Sequence, residues 1–195
     1  MIELVAGLAL FLGVHSLPIV AGDWRSRQVA RLGTGPWKGL YALVSIAGFV
    51  LLVWGYGLAR AEPVVLWTPP RWTYHLTIAL TVPAFVLLAA AYAPPNRLRA
   101  RIGHPMLAGT KLWALAHLAS NGTLADVVLF GAFLAWAVVA FVSARRRDRL
   151  QGGPPAAATL TGDLVALLAG LALWATFAWW LHAWLIGIDP MVWVR

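Results

Sequence analysis

Six apolar stretches, at roughly 2–21, 37–59, 73–93, 105–120, 124–144 and 161–187, occupy most of this chain of 195 residues. About 20 apolar residues suffice to cross the hydrocarbon core of a bilayer as a helix, the form in which each backbone polar group is satisfied within the segment. Six such helices use about 120 residues; the rest suffices for short loops but not for a separate soluble domain. The charged fraction, 11%, is under half that of an ordinary soluble domain. The expected fold is all-α: a polytopic membrane helix bundle with about six transmembrane helices. The first stretch begins with Glu3 and no positive charge, so it reads as a retained helix rather than a signal peptide.

The net charge of +8 has two readings, a nucleic-acid partner or membrane topology. Its distribution decides for topology. Arg25, Arg27, Arg31 and Lys38 follow the first stretch, Arg97, Arg99 and Arg101 follow the third, and Arg145, Arg146, Arg147 and Arg149 follow the fifth. The alternate loops hold only Arg60, Arg71 and Arg195, and Lys111 lies within the fourth stretch. Eleven against three is a strong positive-inside pattern, which predicts three basic loops in the cytoplasm and both termini outside. The run from Arg145 to Arg149 passes into a Gly/Pro linker with no aromatics interleaved; a nucleic-acid surface would need them, and no nucleic-acid partner is expected. The basic loops are expected to meet the lipid bilayer.

Residues 1–150 read as one transmembrane domain, 151–160 as a Gly/Pro/Ala linker and 161–195 as an appended C-terminal transmembrane helix, so the bundle is a five-helix core plus one. Pro105 suits a helix start. Thr123 and Asp126 have the spacing of a capping box after the turn Asn121-Gly122. Among the tryptophans, Trp24, Trp37, Trp67, Trp72 and Trp193 fall at expected interfaces, where aromatic belts form.

Chemistry must come from few residue types. Cysteine is absent, which removes disulfides, thiolate ligands and cysteine nucleophiles. All five histidines, His15, His75, His104, His117 and His182, lie in or beside apolar stretches, where ionisable groups are costly and face the bundle interior. No carboxylate pair accompanies them, and Asp126 and Asp163 sit at helix starts. Neutral imidazoles without anions suit a haem held by one or two histidines, while interhelical hydrogen bonding is the ordinary structural role of such a residue. Gly13 beside His15 permits close approach of a flat ligand or a neighbouring helix. Trp113 lies one turn before His117 on nearly the same face, and Lys111 either snorkels to the interface or binds an anionic group such as a propionate. Depth at 1.5 Å per residue places His15 about 9 Å and His117 about 18 Å from the basic side. By depth alone His15 pairs with His104, or His75 with His182.

The ordered motifs Gly-Val-His15-Ser, Trp37-Lys38-Gly-Leu-Tyr41, Trp54-Gly-Tyr56, Ala-Tyr92-Ala-Pro-Pro-Asn96-Arg97, Gly103-His104-Pro105 and Lys111-Leu-Trp113-Ala-Leu-Ala-His117 resemble the NnrU family over roughly residues 1–150. That family comprises bacterial membrane proteins associated with nitrite and nitric oxide reduction, and it is similar to 15-cis-zeta-carotene isomerase, a haem b membrane enzyme. The resemblance implies haem b with His15 and His117 as axial ligands, Trp113 and Lys111 beside it, and His104, His75 and His182 as secondary candidates. It implies a bacterial inner membrane location with periplasmic termini. It implies a redox or ligand-sensing role, with a small gaseous ligand and denitrification or electron-transfer proteins as partners. The alternatives are a haem-dependent cis-trans isomerase acting on a carotenoid or other apolar lipid, and a cofactor-free scaffold or assembly factor.

Overall fold

The structure, a computed structural model, describes residues 1–152 and 157–193. Residues 153–156 of the expected linker and Arg195 of the charge count lie outside the described residues. The helices are α1 (Ile2–Val20), α2 (Gly22–Leu32), α3 (Thr34–Ala61), α4 (Trp72–Ala90), α5 (Arg97–Ile102), α6 (Pro105–Ser120), α7 (Leu124–Gln151) and α8 (Leu160–Thr176). Helix α8 runs through a π turn, Phe177–Leu181, into α9 (His182–Ile186), and a 3₁₀ turn, Pro190–Trp193, comes after it. The protein is an all-α bundle. Among the described residues five helical stretches are long and apolar enough to cross a membrane: α1, α3, α4, α7 and the continuous run Leu160–Ile186. The expected fourth span is α6, whose 16 residues give about 24 Å, short of the ~30 Å hydrocarbon core. It still connects the two ends of the bundle, so the chain makes six passes, one of them short. The surface suits hydrocarbon: on α3 alone Leu43, Ile46, Phe49, Val50 and Trp54 are exposed. This is a multi-pass membrane protein.

Packing runs α3–α1–α7–α6–α4–α8 around the bundle, and α9 returns to touch α3. Helices surrounded by lipid gain little from the hydrophobic effect on meeting each other, and close approach at small residues takes its place. Gly7 of α1 lies against the backbone of Leu51 and Leu52 on α3, while Gly48 and Gly55 of α3 lie against Phe11 and Leu4 of α1. Gly109 brings α6 onto the Ala84 carbonyl of α4. Gly170 brings α8 onto Val86 of α4, where an added Cβ would come within 2.5 Å of the Val86 Cα. The expected appended helix is thus seated on α4 rather than loosely tethered.

The two ends differ in charge. At one, Arg97 pairs with Asp163 at 3.4 Å and His104 with Asp148 at 2.9 Å, and Thr159 binds the Pro95 carbonyl through both N–H and Oγ1. These contacts gather the chain after α4 and the ends of α7 and α8 at a single basic end. At the other, Leu66 and Trp67 N–H donate to the Gly122 carbonyl, and the capping box of Thr123 and Asp126 forms as the spacing predicts. The first basic segment differs from expectation. Its charges suggest a loop, but residues 22–32 form α2, a short polar helix after the hydrophobic α1.

The glycine contacts make a direct prediction. Gly55→Val should lower the stability of the detergent-solubilised protein by about 1–3 kcal/mol, the usual cost of overpacking. Gly57→Val, at a position where an added Cβ meets nothing within 4 Å, should be near neutral in the same thermal unfolding measurement.

Candidate functional site

The far end of the bundle, opposite the basic one, holds a cavity between α3, α4, α6, α7 and α9. Its volume is about 460 Å³, and its walls include Tyr56 and Arg60 of α3, Thr77 of α4, His117 of α6, Asp126 of α7 and His182 of α9. A narrow annex of about 60 Å³ shares Thr77, His117 and His182 and is walled by Phe85, Trp113, Trp174 and Phe177.

Two imidazoles reach this space in the same way. His117 Nδ1 is 2.9 Å from the Trp113 carbonyl one turn back. His182 Nδ1 is 2.7 Å from the Ile188 carbonyl. A carbonyl accepts only, so each Nδ1 carries the proton and each Nε2 is left with its lone pair. Neither Nε2 has a hydrogen-bond partner among the described residues. The ring of His117 is further fixed between Trp113, at 5.2 Å, and Phe130, at 4.7 Å between centroids.

Local backbone explains how His182 arrives there. A π turn takes an extra residue, so the turn at 177–181 re-phases α9 relative to α8 by about one residue, or 100°. Gly187, at φ +76°, then ends α9 in the left-handed conformation that glycine adopts most readily. The chain folds back so that the Ile188 carbonyl meets the imidazole.

The α3 wall is tied by buried polar bonds. The Tyr56 hydroxyl donates to Asp126 Oδ1 at 2.5 Å, while Asp126 Oδ2 accepts from the Thr123 N–H at 2.9 Å and the Thr123 hydroxyl at 2.6 Å. Three donors thus satisfy one buried carboxylate. Arg60 donates to the Ile186 carbonyl at 2.9 Å and lies over the Tyr56 ring, 5.5 Å from its centroid. It closes the ring of helices and puts a cation in the cavity wall.

Another cavity, about 320 Å³, lies at the basic end and includes His15 and His104 in its walls. His15 Nδ1 is 2.7 Å from the Phe11 carbonyl, and Tyr41 and Trp136 stand edge-on to its ring. His104 gives Nε2 to Asp148. His15 and His117 therefore line different cavities, His15 together with His104 and His117 together with His182. His75 is exposed on the outer surface of α4. Lys111 lines neither cavity; its Nζ stands 3.7 Å from the Phe141 ring centroid. Trp113 does wall the annex beside His117. Among the described residues no three histidine, aspartate or glutamate side chains gather around one point, so each cavity offers at most imidazole pairs.

Sequence reading singled out neither Arg60 nor Tyr56 as site residues. Arg60 had a usable signal, because it is a positive charge at the end of a span on the side poor in positive charge. Tyr56 had none, since its partner is 70 residues away.

The family model described as NnrU protein matches residues 3–190. The chain belongs to the NnrU family. The match takes in the C-terminal helix, so His182, its π turn and the returning Ile188 lie within the span that defines an NnrU protein. No curated protein and no solved structure matches the chain.

In this NnrU protein the Tyr56–Asp126 bond should behave as a structural tie. Tyr56→Phe and Asp126→Ala should each destabilise the protein by about 1–3 kcal/mol, the range for a buried group losing its partner. The double variant should cost clearly less than the two added together. Unfolding of the three variants in one detergent checks this, and simple additivity would show the two residues to act independently.

Proposed function

We propose that this NnrU-family protein binds haem b in the far-end cavity, where His117 and His182 would hold its iron, and serves a redox or ligand-sensing step linked to nitrite and nitric oxide reduction. The observation that carries this reading is the matched pair of imidazoles: one cavity, two Nε2 atoms without a partner among the described residues, and each Nδ1 held on a backbone carbonyl. Metal-bound histidines are held in this way, because the second-shell hydrogen bond fixes tautomer and ring direction and raises ligand basicity. The volume, about 460 Å³, lies within the range of cofactor pockets.

The other walls fit the same group. Phe85, Trp113, Trp174 and Phe177 supply the apolar aromatic lining a porphyrin face needs. Arg60 supplies a cation suited to a propionate, and its bond to the Ile186 carbonyl holds α9 against α3. Thr77 donates to the Ala116 carbonyl at 2.8 Å, which steadies α6 next to His117. When bound, haem would supply an iron able to exchange an electron or take a small gaseous ligand. The chain's own task is to hold two neutral imidazoles in register and keep bulk water from the macrocycle.

The alternation of charge supports an orientation in the bacterial inner membrane with the basic end in the cytoplasm and both termini in the periplasm. On that orientation the imidazole pair lies in the periplasmic half.

An optical spectrum of protein made with haem precursor supplied should show a Soret band. His117→Ala and His182→Ala should abolish it or shift it, and His15→Ala should leave it in place. A haem-free wild type sinks the reading; loss with His15→Ala and retention with His182→Ala would move the site to the other imidazole. Topology is tested separately with reporter fusions. A cytoplasm-active reporter should work after Gln151 and fail after Pro63, an export-dependent reporter should do the opposite, and the reverse pattern would invert the assignment.

A further inference from the structure

The basic-end cavity has a different character from the haem site proposed above. Its polar wall is formed by His15, Tyr41, Arg99, His104 and Arg147, and no carboxylate lines it. Arg99 and Arg147 make no ion pair among the described residues, because the acids of α7 and α8 at this end are engaged elsewhere. Asp163 pairs with Arg97, and Asp148 with His104 and Arg145. Two guanidinium groups without counter-charge at a membrane interface call for an anion. The Trp136 N–H, buried in the wall, has no acceptor among the described residues, and buried donors are seldom left so.

An apolar seam between α1 and α7 opens from the same place. It holds about 630 Å³ and shares Ile19 and Trp136 with the cavity wall. Along α1 it runs from Val5 to Val20, about 22 Å at 1.5 Å per residue, which exceeds the ~15 Å hydrocarbon depth of one leaflet. Small side chains keep it clear: Ala9, Gly13 and Ser16 on α1 face Ala132 and Ala135 on α7. At Gly13 an added Cβ would meet nothing within 4 Å.

We propose that cavity and seam form one binding site for an anionic phospholipid, its phosphate at Arg99 and Arg147 and an acyl chain along the α1–α7 seam. Charge complementarity selects the anionic headgroup, and the shared wall at Ile19 and Trp136 selects an amphiphile over a free anion. Tyr41 and His15 complete the polar wall of the headgroup pocket. The site is independent of haem, since neither His117 nor His182 lines it.

Native mass spectrometry of the full-length, delipidated protein tests this by titration with phosphatidylglycerol, phosphatidylcholine or inorganic phosphate. Phosphatidylglycerol should bind in preference to phosphatidylcholine. Arg99→Gln and Arg147→Gln should each weaken it about fivefold, the effect of one basic residue at an anionic surface, with phosphatidylcholine unchanged. Arg71→Gln, at the far end, should change nothing. Gly13→Leu fills open space and should weaken both lipids while leaving their ratio intact. Equal binding of the two lipids by wild type overturns the proposal, as does a loss with Arg71→Gln matching that with Arg99→Gln. Phosphate competing while Gly13→Leu has no effect would make the cavity a free-anion site. A protein dimer abolished by Gly13→Leu, without lipid preference, would make the seam a helix-docking face.

Discussion

Close contact at glycine is the constraint on which the remaining structure depends. Lipid chains solvate leucine as well as another helix does, so burial alone gives these helices little reason to associate. The backbones must come near enough for dispersion and weak polar contacts to add up over many atoms. Gly7, Gly48 and Gly55 bring α1 and α3 together, Gly109 seats α6 on α4, and Gly170 seats α8 on α4. Each cavity is the space left between helices whose spacing those contacts set. A side chain at any of these positions would widen a seam and move the walls of a site several turns away.

Much of the fold was legible in the sequence. Apolar run length gave the passes, the alternation of arginines gave two chemically distinct ends, and Thr123-x-x-Asp126 marked a helix start that forms as its spacing predicts. The short span α6 has the same bounds as its apolar stretch, so its 16 residues, too few for the full bilayer core, were legible as well. Helix α2 was hidden since Arg25, Arg27 and Arg31 read as loop residues, whereas a polar helix can lie along an interface.

The site was legible in part. Residue chemistry pointed to histidines in an apolar bundle, and rise per residue put His15 nearer the basic side than His117, which agrees with their separate cavities. Motif resemblance joined those two residues, and the structure groups each with a different partner. No local signal could have grouped His117 with His182. Their meeting depends on a π turn, on the left-handed Gly187 and on packing between helices far apart in sequence. Likewise Tyr56 finds Asp126 only because the α1–α3 and α1–α7 contacts bring α3 beside α7. Such pairings belong to tertiary packing and leave no periodic trace in the chain.

The position of His182 downstream of α1 to α7 has a consequence for how the protein matures. A growing chain completes α1 to α7 before it reaches the segment that carries α9. Until that segment arrives, the compartment beside His117 lacks one wall, the Ile186 carbonyl that receives Arg60 and the second imidazole. Closure of the far-end compartment therefore waits on the synthesis of α9. A chain cut between α7 and α9 keeps the His117 wall of that compartment and lacks both the His182 wall and the carbonyl that receives Arg60.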